Sequence, residues 1–474
     1  MTTTREVMAG SGVGFGTSGA RGLVAQMTDE VCFAYALAFL HAIGAQPGNR
    51  VALGMDLRPS SPRIAAACAA AIRHAGMTVE FCGALPTPAV AFHAQEQGMP
   101  AIMVTGSHIP FDRNGIKFYR ASGEITKADE AAINAAALAM PAAIQVDALP
   151  PVDPAAHARY ARRYLDFFPG RPLAGMRLGF YQHSSLARDI LTEIAEGLGA
   201  EVTALGRTDQ FVPIDTEAVG EADAEMARRW AAEHGFDALL STDGDADRPL
   251  LGDERGEWLR GDIVGILCAQ YLGARAVATP VSSNTALERS GAFARVARTR
   301  IGSPYVIAAM EALAAEGLDG VVGYEANGGF LVGSPVEKDG RALAPLPTRD
   351  AVLPILALLA MARAGGVPLS RLAQALPPRY TASDRIKDFA TERSRRLIED
   401  LAGSDAAIQA LLGDLCGAPA GLDRTDGLRI TFANGEIVHL RPSGNAPELR
   451  CYAEADSPAR AQQLAQACLA RVQG

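Results

Sequence analysis

The chain has 474 residues, and single hydrophobic cores stop growing near roughly 250 residues, so about three domains are expected. It is 49% hydrophobic and 20% charged, with 48 Gly and 28 Pro spread along its length, which argues against a disordered or fibrous chain and for packed α/β layers. A net charge of -9, from 44 Lys and Arg against 53 Asp and Glu, argues against a general affinity for nucleic acid or anionic lipid. Any anion site has to be local.

In chain order, residues 1–15 carry one Arg and no apolar leader core, so a soluble, cytoplasmic protein is expected. A rhythm of apolar strand, Ser-containing turn, Ala/Leu-rich helix, Gly and second strand then recurs three times. It runs through residues 51–81 with Ser60 and Ser61 at the turn, 176–202 with Ser184 and Ser185, and 276–299 with Ser282 and Ser283. Strands alternating with helical patterns predict βαβ crossovers and a mainly parallel sheet. Such units look alike in any α/β protein, so the pattern alone leaves a true triplication open.

Residues 141–154 are Pro/Ala-rich, 252–256 form a turn-rich stretch, and Pro377 and Pro378 punctuate the chain, giving boundaries at 1–150, 151–256, 257–377 and 378–474. The last segment has a charged helical run at 391–401 and strand patterns at 428–432, 436–440 and 449–453 around the hairpin signal Asn434-Gly435. An amphipathic helix from Pro458 completes a small antiparallel α+β domain. Cys32, Cys68, Cys82, Cys268, Cys416, Cys451 and Cys468 are scattered with no C-x-x-C spacing, which reads as reduced core thiols rather than disulfides or a zinc site.

Five segments carry chemistry. Asp243, Asp245 and Asp247 follow a strand-like run, and carboxylates at i, i+2 and i+4 separated by small residues can converge on one hard cation. The alternative is a solvated acidic turn. A calcium EF-hand is disfavoured by Arg248 where the loop needs Gly, by Pro249, and by the preceding strand. Residues 105–117 supply Ser107, His108 and Lys117: a nucleophile, a polarising partner and a cation for oxyanions. A serine in such a turn also serves as a helix cap.

Residues 441–447, with Arg441, Ser443, Gly444 and Asn445, offer a phosphate cradle or an ordinary Pro/Gly turn, and Arg450 follows. Glu325 and Asn327 lie on a Gly-flanked loop suited to vicinal sugar hydroxyls, or to a plain turn. Residues 15–22 add Arg21 on a flexible loop.

Together and in this order, these segments resemble the α-D-phosphohexomutase superfamily, which includes phosphomannomutases and phosphoglucomutases, over nearly the whole chain. The resemblance implies three related α/β domains, with mixed βαβ-containing sheets, plus a small C-terminal α+β domain around a central cleft. It implies that Ser107 is phosphorylated, and that Asp243, Asp245, Asp247 and a Ser107 phosphate oxygen hold Mg2+. Arg21, Lys117 and Arg248 then offset the negative charge. The implied reaction interconverts hexose 1-phosphate and hexose 6-phosphate through a hexose 1,6-bisphosphate, which also serves as activator. Mannose is the favoured sugar, with glucose or dual specificity as the alternative and a non-catalytic sugar-phosphate-binding protein as the remote one.

Lys117 and His108 are the expected proton carriers, Lys117 with a lowered pKa. Arg441, Ser443, Gly444, Asn445 and Arg450 are expected at the non-reacting phosphate, and Glu325 and Asn327 at the sugar hydroxyls. Ser303 is expected near the substrate, at a position where many members carry His. The sequence also departs from the family at Ile109, where Asn is common, at Asn445-Ala446, where Thr-Glu is usual, and at Asn327, where many members have Ser. The expected partner is a small sugar phosphate, with neither nucleic acid nor membrane, and the expected assembly a monomer or weak homodimer.

Overall fold

The computed structural model describes residues 2–16, 19–443 and 447–473. Its strands are β1 Gly14–Phe15, β2 Ala20–Leu23, β3 Arg50–Met55, β4 Thr78–Ala84, β5 Ala101–Val104, β6 Arg113–Arg120 and β7 Gly123–Glu124 in a first sheet, and β8 Arg177–Tyr181, β9 Glu201–Leu205, β10 Ala238–Thr242 and β11 Pro249–Gly252 in a second. A third sheet holds β12 Ala276–Pro280, β13 Arg295–Thr299, β14 Val321–Tyr324, β15 Phe330–Val332 and β18 Leu346–Asp350, with β16 Val336–Lys338 and β17 Arg341–Leu343 as a separate hairpin. A fourth holds β19 Tyr380–Ile386, β20 Pro419–Asp423, β21 Leu428–Phe432, β22 Ile437–Pro442 and β23 Leu449–Ala455.

The rhythm in the sequence is a true topological repeat. In the first sheet β4, β3 and β5 run parallel and β6 returns antiparallel to β5. The second repeats this with β9, β8, β10 and β11, and the third with β13, β12, β14 and β15. The crossover helices are Ser61–His74, Ile190–Gly197 and Ala286–Arg289. The first begins with Pro62 in its opening turn and ends with Arg73 and His74, the asymmetry that the helix dipole favours. Strands β5, β10 and β12 are buried along their whole length, because helices cover both faces of a parallel sheet and select unbroken apolar runs.

Length alone suggested separate cores, but the first three sheets share one. A contiguous apolar cluster runs from Ala52 through Leu178 and Leu240 to Leu356 and Leu376. Helix Ala155–Phe167 stitches it, since both Tyr160 and Tyr164 donate their hydroxyls to the buried Asp350 at the end of β18. The first sheet also keeps a cluster of its own on its other face, around Phe39, Leu53 and Phe118.

The fourth sheet is antiparallel throughout, in the order β19-β23-β22-β21-β20, and packs helices Thr391–Ala402, Asp405–Cys416 and Pro458–Gln473 around an independent core. It meets the rest of the chain through polar contacts. Asn284 Nδ2 donates to the Arg379 carbonyl at 2.8 Å, Thr381 Oγ1 to Asp262 Oδ2 at 2.9 Å, and the Ile301 N–H to Asp426 Oδ2 at 3.0 Å. All seven cysteines are free and buried. Among the described residues no single helix is long and apolar enough to cross a membrane.

Candidate active site

Each repeat offers a loop at the same point, after its third parallel strand and before the antiparallel return: residues 105–112, 243–248 and 325–329. These are carboxyl ends of parallel strands, where open α/β sheets bind ligands. The first loop carries Ser107, buried and at φ +52, in the left-handed region that a non-glycine residue enters at a cost. Its hydroxyl donates to Asp243 Oδ2 at 2.8 Å and lies 3.3 Å from His108 Nδ1.

The second loop closes the β10–β11 hairpin, with Ala246 at φ +56 folding the aspartates inward. Ligand oxygens of Asp243, Asp245 and Asp247 lie within 4.8 Å of one another, and all three residues are buried. Asp245 Oδ1 and Asp247 Oδ1 are buried with no hydrogen-bond partner in the described structure. Orphaned carboxylate oxygens converging beside a hydroxyl fit a hard divalent cation, because burial without a partner is otherwise costly. The remaining oxygens are taken: Lys117 Nζ donates to Asp245 Oδ2 at 2.6 Å and to Asp247 Oδ2 at 2.7 Å, and Thr87 Oγ1 to Asp245 Oδ2 at 2.7 Å.

The charges act on one another. Burial and the neighbouring Asp245 and Asp247 push Asp243 well above the ordinary carboxylate range. Burial pulls Lys117 down, yet Asp245 and Asp247 outweigh it and leave the ammonium above its usual pKa. This reverses the expectation of a lowered Lys117, because the nearest groups to the lysine are carboxylates rather than cations. His108 is pushed down to about 2 by Arg248, burial and Arg21, so its imidazole is neutral and its Nδ1 lies 2.6 Å from Arg248 Nη1. Arg21 sits on β2 opposite Gly115, and burial with Arg248 and Arg349 lowers it to about 10.

The third loop holds Glu325 and Asn327, both buried, with Asn327 Nδ2 at 3.5 Å from Glu325 Oε2. Arg349, which sequence reasoning missed, connects this loop to the second. It donates from Nη2 to Asp247 Oδ2 at 2.8 Å and from Nη1 to Glu325 Oε2 at 2.9 Å. Its one signal was an Arg-Asp pair within the strand-like run 346–350. Thr216, also missed, donates to the Asn327 carbonyl at 2.9 Å.

The other predicted residues, where described, bond to partners outside the three loops. Ser303 is buried and donates its hydroxyl to Glu124 Oε2 at 2.8 Å. Arg441 and Arg450 are register partners on β22 and β23; Arg441 Nε is 2.7 Å from Asp426 Oδ2, and Arg450 Nη2 donates to Glu448 Oε2 at 3.4 Å. The Ser443 N–H donates to the Glu448 carbonyl at 2.8 Å. Gly444 and Asn445 lie outside the described residues.

Family models for phosphoglucomutase/phosphomannomutase match this chain: alpha/beta/alpha domain I at residues 12–141, domain III at 260–380 and the C-terminal domain at 385–470. The chain is 48% identical over 459 residues to a phosphomannomutase of Sinorhizobium fredii, covering 95% of this chain and 96% of that protein. It is 48% identical over 479 residues to a phosphomannomutase of Salmonella muenchen, covering 99% and 97%. A solved structure of a phosphoglucomutase/phosphomannomutase family protein from Burkholderia thailandensis superposes with a TM-score of 0.75 at 20% identity, covering 100% of this chain and 97% of that one. Across its length and in its fold, the chain belongs to the phosphoglucomutase/phosphomannomutase family of phosphohexomutases.

Proposed function

We propose that the protein is a phosphomannomutase that interconverts mannose 1-phosphate and mannose 6-phosphate through phospho-Ser107 and a hexose 1,6-bisphosphate. One observation carries the chemistry: a buried serine hydroxyl in a left-handed turn, 2.8 Å from a carboxylate of the aspartate cluster. The two relatives at 48% identity, both phosphomannomutases, support mannose as the sugar.

In this reading a free sugar hydroxyl attacks the phosphorus, the P–O bond to Ser107 breaks, and the proton of the attacking hydroxyl ends on the departing Ser107 oxygen. The neutral imidazole of His108 is the proposed relay, and Lys117, kept as an ammonium by Asp245 and Asp247, donates hydrogen bonds to the developing oxyanion. The bisphosphate turns over in the cleft and returns its other phosphoryl group to Ser107. Asp243, Asp245 and Asp247, joined by a Ser107 phosphate oxygen, would hold Mg2+, which supplies Lewis-acid neutralisation of the phosphoryl oxygens when bound. Arg21, Lys117 and Arg248 neutralise the remaining charge. Glu325 and Asn327 hold sugar hydroxyls, Ser303 borders them, and Arg441, Ser443, Gly444, Asn445 and Arg450 hold the phosphate that does not react. Added hexose 1,6-bisphosphate primes Ser107 and so activates the enzyme. Seven buried thiols suit a reducing, cytoplasmic compartment.

The test is turnover of mannose 1-phosphate and glucose 1-phosphate, each with Mg2+ and a trace of the bisphosphate, followed by phosphorus NMR. We expect mannose 1-phosphate to be the better substrate. Equal turnover of both sugars would replace this reading with dual specificity. Folded, phosphorylated protein that turns over neither would leave only a binding role.

A further inference from the structure

We infer that Arg58 is a positioning residue for Ser107, and that it acts together with Phe211 to hold the serine loop against the aspartate loop. The inference rests on the reading of Ser107 as the phosphoryl carrier.

Arg58 lies just beyond β3 and is 1% exposed, so its guanidinium has to find its partners inside the protein. It does so almost entirely on one loop. Nη2 donates to the Ser107 carbonyl at 3.0 Å and to the Ile109 carbonyl at 2.6 Å, and Nη1 to the Pro110 carbonyl at 2.7 Å and the Arg113 carbonyl at 3.0 Å. Four carbonyls gathered on one planar fork cannot be served by the three donors of an ammonium in the same geometry. Asp56 backs the fork, accepting from Arg58 Nε at 3.1 Å and from the Gly106 N–H at 3.1 Å.

Two close approaches show how tightly the device is built. A Cβ on Gly106 would lie 2.5 Å from Arg58 Cζ, so the residue before the nucleophile has to be glycine. The Phe211 ring, from the second repeat, stacks on the guanidinium with 3.8 Å between Cζ and the ring centroid. The same ring also lies close to the aspartate loop: a Cβ on Gly244 would come to 3.0 Å from Phe211 Cε2 and 3.1 Å from the Ser107 carbonyl oxygen. Arg58 therefore fixes the carbonyls of the loop that holds Ser107 at positive φ, and Phe211 sets the distance of that loop from Asp243. Among the described residues neither side chain hydrogen-bonds or stacks with Glu325, Asn327 or Arg441, so binding of the sugar phosphate should be insulated from both.

The experiment uses full-length Arg58→Lys and Phe211→Leu. Phosphorylation of Ser107 by a hexose 1,6-bisphosphate is followed by rapid quench and intact mass, beside steady-state kcat and KM. We expect Arg58→Lys to slow Ser107 phosphorylation and kcat by roughly a hundredfold, the scale of a 1 Å misplacement, with KM held within about twofold. Phe211→Leu is expected to slow both by about fivefold, with KM again unchanged. Native rates in either folded variant, or a KM that rises as kcat falls, would overturn the inference. If Arg58→Lys does not fold, Phe211→Leu decides the question, since that partly exposed ring lies outside the cores shared by the sheets. Native protein that takes up no phosphate at Ser107 would overturn the proposed function and this inference with it. Phosphorylated native protein with unaltered variants would overturn this inference alone.

Discussion

The three-repeat body and the fourth domain are built on opposite terms. The body shares one apolar cluster across three sheets, and its loops interlock through buried charge, with Arg349 spanning the second and third loops and Lys117 joining the first sheet to the aspartates. The fourth domain encloses its own core and meets the body through hydrogen bonds. Groups that must stay in register for phosphoryl transfer thus sit where movement would tear a common core. The arginines proposed to grip the distant phosphate sit on a unit that can shift by exchanging polar contacts for water.

This contrast predicts that changes in the body abolish chemistry, whereas changes in the fourth domain weaken capture or stability. The largest effect is expected from Ser107→Ala, which should lower turnover by at least about a thousandfold and leave no phosphate on the chain by intact mass. Asp245→Asn comes next. It removes a carboxylate whose Oδ1 has no hydrogen-bond partner among the described residues, and should raise the Mg2+ concentration for half-maximal activity by at least about tenfold in a metal titration.

In the fourth domain, Arg441→Ala should raise KM for the sugar phosphate by about tenfold, the loss of one charge-assisted contact, with kcat changed by less than about threefold. A kcat effect as large as that of Ser107→Ala would break the comparison. The smallest effect concerns stability alone. Burial lowers His439 to about 4, against about 6.5 for an exposed histidine. Between those values the unfolded chain takes up a proton that the folded chain refuses, so stability is lost as pH falls from about 6.5 towards 4, by up to about 3 kcal/mol. Urea unfolding near pH 7 and near pH 4.5 should show that loss in the native protein and a flatter dependence in His439→Phe.

Much of this architecture was legible because it is periodic or punctuated. The recurrence of strand, Ser turn, helix and Gly foretold the repeated crossovers, and the three aspartates separated by small residues foretold a curled acidic loop. Other features depend on folding distance. Arg58 and Ser107 are 49 residues apart, and Arg349 and Asp247 are 102 apart, so no local spacing reports either pair. The sign of the Lys117 shift was misjudged for the same reason. Counting basic residues by motif put Arg21 and Arg248 beside it, whereas the folded chain puts two carboxylates within hydrogen-bond distance. The shared core was hidden too, since helix Ala155–Phe167 reads as ordinary amphipathic sequence and only its contact with Asp350 makes it a stitch.

The buried cysteines have a practical consequence. Cys32 and Cys68 lie in the first sheet's own cluster, Cys82 and Cys268 in the shared core, and Cys416, Cys451 and Cys468 in the fourth domain. Burial pushes Cys32, Cys82 and Cys416 up to about 12, so each is an unreactive thiol until local opening lets water and an alkylating reagent reach it. The chain therefore carries a native set of clocks, at least two to each core, and the order in which they take up label reads which part of the enzyme opens first.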